Sequence, residues 1–378
     1  MTEVFFSAAQ AVRLDRPPAR KPRIVLIGTG GTIAGRGESA VNTSTYDCSV
    51  LPITDILAAL PAAAQIADIV SEQIFQFGSE NFGSDQLLQL GKRISAILQH
   101  DEIDGVVVTH GTDTLEETAF FLHLTLPSDK PVVVVGAMRP SSSLSADGPL
   151  NLFNAIVVAC SPASRGQGTL VIANDEIHTA RDVSKVNTFK LEAFTSPFGP
   201  LGYVTEGRAM YYRHLARRHT FLSQWSVEKI DALPNVAIVY AHNGQDAAMF
   251  DAVLHSHLQS SLHAVIYAGT GNGNVAAPLI PMLVRARQQG IRIVRASRTG
   301  SGVVLRNAAQ PDDRYGWLVA DDHIPQKARI LTMVALAASA ASDDATAPAY
   351  DASVHTSAEP SPFLDECDKA LQQAFFEY

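Results

Sequence analysis

Short apolar runs ending in glycine or in polar residues recur through the first half of the chain. Arg23-Ile24-Val25-Leu26-Ile27 ends in Gly28. Val106-Val107-Val108 opens into Thr109-His110-Gly111-Thr112-Asp113-Thr114, and Val132 to Val135 into Gly136-Ala137-Met138-Arg139-Pro140. Leu170-Val171-Ile172-Ala173 leads into Asn174-Asp175-Glu176. Runs this short and this uniformly apolar suit strands buried on both faces. Between them, apolar residues fall at helical spacing: Leu87, Leu88, Ile94, Ile97 and Leu98 in one segment, Leu152, Ala155, Ile156 and Ala159 in another. Strand, polar loop and helix in repetition predict an α/β fold with a mainly parallel sheet flanked by helices. Ligands bind such sheets at the loops that follow the strand ends.

The pattern degrades between Arg208 and Leu233 and then resumes. Val236 to Tyr240, Ala264 to Ala268 and Ile291 to Val294 read as strands, and Ala328 to Ala338 as a helix. Two domains are therefore expected, a larger N-terminal one over 22–211 and a smaller C-terminal α/β one over 235–378. Residues 212–234, with Arg213, His214, Arg217, Arg218 and His219, read as a solvated connector. Residues 1–21 read as a flexible extension. The stretch 339–362, rich in Ala, Ser, Pro and Asp without periodicity, reads as a mobile insertion, and Leu371 to Tyr378 as a docked terminal segment.

Composition agrees with a packed enzyme-sized chain and narrows the partners. Of 378 residues, 46% are hydrophobic and 18% charged, enough apolar surface for buried cores. A net charge of −9 argues against nucleic acid, whose binding rests on neutralising phosphates. Cys48, Cys160 and Cys367 are widely spaced and read as ordinary thiols, and no metal-ligand spacing is present. No apolar run is long enough to span a bilayer, and Met1 to Arg13 makes a poor signal peptide, so a cytoplasmic location is expected, or a periplasmic one if the true N-terminus differs.

Three segments concentrate groups able to do chemistry. Gly28-Thr29-Gly30-Gly31-Thr32-Ile33-Ala34-Gly35 follows the first strand. A phosphate cradle is one reading, but Ile33 stands where a dinucleotide fingerprint needs its third glycine, and no P-loop Lys-Ser/Thr pair follows. The other reading is a turn that exposes the Thr32 hydroxyl beside backbone N–H groups. Thr109 to Thr114 packs three threonines and a carboxylate into a strand-to-helix turn, where Thr112 or Asp113 could equally cap the helix. His110 reads as structural. In Arg181 to Thr188, Lys185 is either an exposed charge or, close to Thr112 and Asp113, a cation that helps to deprotonate a hydroxyl. Ser79 and Glu80 form a polar pair suited to the charged end of an amino acid, or a simple turn.

Taken together and in order, these segments resemble the bacterial L-asparaginase family, specifically its high-affinity and glutaminase-asparaginase branch. Gly28 to Ala34 is similar to one family signature and Val108 to Ala119 to the other. Val135 to Ser141, Ser145 to Asn151 and Gly199 to Gly202 match in the same order, so the resemblance runs from about Arg23 to Ala338. It implies that Thr32 is a nucleophile hydrogen-bonded by Tyr46, carried on a mobile loop that closes the site. It implies that Thr112, Asp113 and Lys185 form a second catalytic cluster, that Ser79, Glu80 and Asp113 hold the substrate's α-carboxylate and α-amino ends, and that Ala137 contacts the side-chain amide through its backbone. Asn274 would reach the site of a neighbouring subunit, which makes the expected partner another copy of this chain in a homotetramer. No cofactor or metal is implied. The expected reaction is hydrolysis of L-asparagine to L-aspartate and ammonia through a threonine acyl-enzyme, with L-glutamine as a second candidate substrate.

Two features depart from that branch. Ala309 stands where the branch carries a glutamate that helps to bind the substrate amine across the subunit contact, and the 339–362 insertion is unusual. Two other functions compete. The amidase subunit of a tRNA-dependent amidotransferase would call for an added domain and a basic surface. A non-catalytic amino-acid-binding protein would not need the hydroxyl and lysine set.

Overall fold

The computed structural model describes residues 20–41, 43–248, 251–252, 262–341 and 365–378. The extension therefore falls outside the described residues up to position 19, and the insertion from 342. Lys21 and Arg20 are described, and Arg20 pairs with Asp104 at 2.7 Å.

An eight-stranded sheet organises the N-terminal domain. Its strands are β1 (Arg23–Gly28), β2 (Asp68–Gln73), β3 (Gly105–Thr109), β4 (Val132–Val135), β5 (Thr169–Ala173), β6 (Glu176–Thr179), β9 (Gly202–Thr205) and β10 (Arg208–Tyr211). They lie in the order β10-β9-β6-β5-β4-β3-β1-β2. β2, β1, β3, β4 and β5 run parallel, while β6, β9 and β10 add antiparallel partners at one edge. β7 (Ser184–Lys185) and β8 (Phe194–Thr195) form a separate two-residue ladder.

The runs read as doubly buried are so. Every residue of β3 and β4 is buried, because helices cover both faces. α1 (Ser84–Leu98) and α2 (Leu115–Thr125) pack on one face against Val25, Ile27, Val106 and Val108. α3 (Gly148–Cys160) packs on the other against Ile24, Leu26, Val107 and Val133. Alternate side chains of one strand thus enter two different cores.

The smaller domain is a parallel four-stranded sheet, β11 (Asn235–Tyr240), β12 (Leu262–Gly269), β13 (Arg292–Ser297) and β14 (Leu318–Val319). α4 (Ile280–Gln288) covers one face. α5 (Pro325–Ala341) covers the other and packs against α2, so that Ile330, Leu331 and Val334 join the core that α1 and α2 bury. The two domains share that core. α6 (Glu366–Glu377) docks on α5 and ends at a fully buried Tyr378, stacked on Trp225 with ring centroids 4.5 Å apart.

The connector is less solvated than its basic residues suggest. Thr220, Trp225, Val227 and Ile230 are buried against the N-terminal core, and so is His219; Arg213, His214 and Arg218 face solvent. Among the described residues no helix is long and apolar enough to cross a membrane, and the three cysteines are free thiols.

Candidate active site

Strand order 2-1-3-4-5 places the switch of direction between β1 and β3, and the crevice outside their carboxyl ends is where a parallel sheet offers a site. The Gly28–Gly35 turn leaves β1 and the Thr109–Thr114 turn leaves β3. Thr29 ties them together, its backbone N–H donating to the Thr109 carbonyl at 3.2 Å and its hydroxyl at 2.8 Å.

Glycine makes the approach possible. Gly30 and Gly31 have φ of 103° and 84°, in the region that side chains avoid. A Cβ on Gly31 would lie 2.3 Å from Gly111 Cα, and one on Gly111 would lie 2.7 Å from Ser79 Oγ. These glycines let two backbones and the Ser79 turn touch; an anion cradle is not needed to explain them. The Gly31 N–H donates to Ser49 Oγ at 2.6 Å, so it is already committed and does not serve an oxyanion.

Thr32 opens a single 3-10 turn and is buried, with its hydroxyl 2.7 Å from the Tyr46 hydroxyl. Tyr46 is half-buried, one residue inside a neck closed by the Arg36–Asp47 bridge. Burial pushes its phenol above 10.0, only partly opposed by the bond to Thr32, and nearby Cys48 and Asp113 push the same way. At neutral pH Tyr46 is therefore a neutral hydroxyl that orients Thr32 and can pass a proton.

The second cluster closes on Lys185. Its Nζ donates to Thr112 Oγ1 at 2.7 Å and to Asp113 Oδ1 at 2.6 Å. The Lys185 side chain is 16% exposed and that of Asp113 63%, so the pair sits at the mouth with the lysine inward. Neither Thr112 nor Asp113 caps α2. The cap position is Thr114, which makes no side-chain cap bond; its hydroxyl donates to the Ser79 carbonyl at 2.8 Å instead. His110 is the structural residue expected. It is fully buried, with Nδ1 on the Gly111 carbonyl and Nε2 on Thr118, and burial lowers its pKa to about 4.

Ser79 is buried against Gly111 while Glu80 is exposed beside it. Ala137 is buried in the turn after β4. That turn is pinned by Asp147, which accepts from the N–H groups of Met138 and Arg139, and by Asn151, which donates to the Gly136 carbonyl. Asn274 is not part of this crevice. It lies exposed on the turn after β12, and Ala309 is exposed on a loop that the buried Arg295–Asp312 pair ties to the same turn. Among the described residues no group of His, Cys, Asp and Glu is arranged to hold a metal.

Ser49, Glu116, Asp147 and Asn151 escaped the sequence reading as site residues. For Asp147 and Asn151 the signal was present, since both lie inside the quoted Ser145 to Asn151 motif. Glu116 likewise lies inside the quoted Val108 to Ala119 motif, whereas Ser49 acts through a contact that no spacing announces.

Known proteins with related sequences cover nearly the whole chain. The family model for the N-terminal domain of asparaginases matches residues 23–217, and that for the glutaminase/asparaginase C-terminal domain matches residues 235–347. A glutaminase-asparaginase of Pseudomonas fluorescens biotype A is 47% identical over 88% of this chain and 91% of its own. A probable periplasmic L-asparaginase of Haemophilus influenzae is 44% identical over 83% of this chain and 88% of its own. The crystal structure of a probable cytoplasmic L-asparaginase from Campylobacter jejuni superposes with a TM-score of 0.83 at 35% identity, over 95% of this chain and 100% of that one. With both domains matched and the threonine, tyrosine and lysine groups gathered at the β1–β3 crevice, the chain belongs to the asparaginase family.

Proposed function

We propose that the protein hydrolyses L-asparagine to L-aspartate and ammonia, and L-glutamine to L-glutamate at a rate within about tenfold. One observation carries the reading: two hydroxyl clusters, Thr32–Tyr46 and Thr112–Lys185–Asp113, face one crevice because Gly31 and Gly111 press their turns together.

Thr32 Oγ attacks the side-chain amide carbon, and Tyr46 takes part in moving its proton. The C–N bond breaks and ammonia leaves, with the acyl group held as an ester on Thr32. Water then attacks the ester, releases the acid and restores the hydroxyl. Lys185, held on Thr112 and Asp113, lowers the cost of negative charge on the Thr112 oxygen and so supports the proton transfers of both steps. Ser79, Glu80 and Asp113 receive the α-amino and α-carboxylate ends, and Ala137 receives the amide. Asn274 completes the site of a neighbour in a homotetramer; its exposed place on the C-terminal domain fits that task. A protein that only bound an amino acid would have no use for a lysine seated on a threonine hydroxyl. A cytoplasmic location is part of this reading, on the likeness to the probable cytoplasmic L-asparaginase of Campylobacter jejuni.

Ammonia release from asparagine by the purified protein and its Thr32→Val variant tests the assignment. The variant retains substrate binding and loses ~10⁴–10⁶ in kcat; a rate within tenfold of wild type rejects Thr32 as the nucleophile. Glutamine turnover below a hundredth of asparagine turnover rejects the dual specificity; one methylene is worth only ~1–3 kcal/mol of discrimination unless the pocket is built to reject it. Sedimentation at assay concentration tests the tetramer, and a fully active monomer contradicts it.

A further inference from the structure

Lys327 is a lysine where the fold has least room for one. It lies in the first turn of α5, in the C-terminal domain, and is 1% exposed. Its side chain crosses into the N-terminal domain, where Nζ donates to the carbonyls of Arg181 at 2.7 Å and Val183 at 2.6 Å and lies 5.8 Å from the Phe120 ring centre. Burial pushes its pKa down to about 8, against the opposing pull of Glu116. For stability alone an apolar side chain of this length serves as well or better, because a buried charge costs more to desolvate than it returns.

The two carbonyls explain the placement. Arg181 and Val183 lead directly into β7, where Lys185 stands two residues beyond. The Lys185 backbone N–H donates to Glu116 Oε2 at 2.5 Å, and Glu116, buried in the first turn of α2, is the acid nearest in effect to the Lys327 charge. On the far side the Val186 N–H is held by the Ala193 carbonyl at 2.7 Å. The strand carrying Lys185 is thus gripped before, at and after the lysine. The grip before it is the one supplied by the other domain.

We propose that Lys327 is a positioning residue for Lys185: by holding the Arg181 and Val183 carbonyls, and with Glu116 holding the Lys185 N–H, it fixes the backbone from which the Lys185 ammonium reaches Thr112 and Asp113. This rests on the role given to Lys185 above. Lys327 touches no substrate. It makes the catalytic geometry depend on how the C-terminal domain seats.

Lys327→Met keeps the length and removes the donor. It is made alone and in a Lys185→Met background, with Glu116→Ala treated in the same way, and asparagine kinetics and the melting transition are measured for each. Lys327→Met alone lowers kcat 10- to 100-fold, the cost of misplacing a catalytic group by about 1 Å, leaves KM within threefold and retains a cooperative melt. In the Lys185→Met background it costs less than a further threefold, since the group it positions is gone. Glu116→Ala shows the same dependence and decides the matter if Lys327→Met does not fold. Equal losses in both backgrounds, or a kcat within threefold of wild type, overturn the proposal. Failure of both variants to fold overturns it as well, because the network then holds the fold and not the lysine. A near-normal kcat for Lys185→Met by itself rejects the role of Lys185, and this proposal with it.

Discussion

Nothing wider than hydrogen separates Gly31 from Gly111, and the meeting of two hydroxyl clusters depends on that. Gly31→Ala would set a Cβ 2.3 Å from Gly111 Cα at a φ of 84°. The turns must part, and a displacement near 1 Å costs about 10²-fold in rate. Gly244 is the control, with a φ of 71° and nothing within 4 Å of its Cβ position. Gly244→Ala loses only about 1–2 kcal/mol of stability to the left-handed backbone and keeps its kcat. Kinetics and denaturant melts on both variants separate crowding from strain; equal rates would deny the close approach any catalytic role. At this scale the sequence was legible where residues cluster in motifs. Thr32, Thr112 and Asp113 stand in glycine- or hydroxyl-rich turns that a core does not need. Lys327, in Pro325-Gln326-Lys327-Ala328-Arg329, looks like any exposed charge at a helix start. Only the fold shows that it is buried.

Among elements, strands with both faces covered were the readable ones. β1, β3, β4 and β5 are nearly unbroken apolar runs because helices lie above and below. β2 was missed because it is an edge strand, Asp68-Ile69-Val70-Ser71-Glu72-Gln73, with partly solvated side chains. β6, β9 and β10 were missed because Glu176 to Thr179, Gly202 to Thr205 and Arg208 to Tyr211 mix polar and apolar residues, with no unbroken apolar run like the four valines of β4 and too few residues for alternation to register. The loops of the smaller domain were legible as polar and no further, yet one ion pair organises them. Arg295 and Asp312 are both fully buried and paired at 2.6 Å. The arginine also donates to the carbonyls of Asn272, Gly273 and Leu305. Asp312→Ala leaves that guanidinium unpaired in the interior and is expected to cost ~3–5 kcal/mol. It also frees the turn that presents Asn274. Denaturant unfolding checks the first effect, and a loss under 1 kcal/mol would mean that the carbonyls alone satisfy Arg295.

For the whole molecule, buried histidines set a limit on the acid side. His110 and His178 are lowered to about 4 and His323 to about 3, chiefly by burial, and His123 and His219 are lowered for the same reason. Each folded pKa lies below the unfolded one. As pH falls below 6.5 the unfolded chain takes up protons that the folded chain refuses, so stability is lost with falling pH. The raised carboxyls of Glu116, Glu117 and Asp368 act in the opposite direction. His178 isolates the effect. Glu176 lies 3.1 Å from its Nε2, yet burial outweighs that acid. His178→Gln is expected to reduce the slope of stability against pH by up to about 1.4 kcal/mol per unit between pH 6.5 and 4; an unchanged slope would show that His178 becomes charged within the fold. The bond from Lys327 across the domains also has a consequence in time. Lys327 is 144 residues beyond Val183, and a ribosome adding about 5–20 residues per second needs roughly 7–30 s to cover that distance. During that interval a nascent chain already contains Thr32, Tyr46, Thr112, Asp113 and Lys185, but the strand bearing the lysine lacks the grip that Lys327 supplies. The strand that bears Lys185 thus acquires its last anchor only once the second domain has been made.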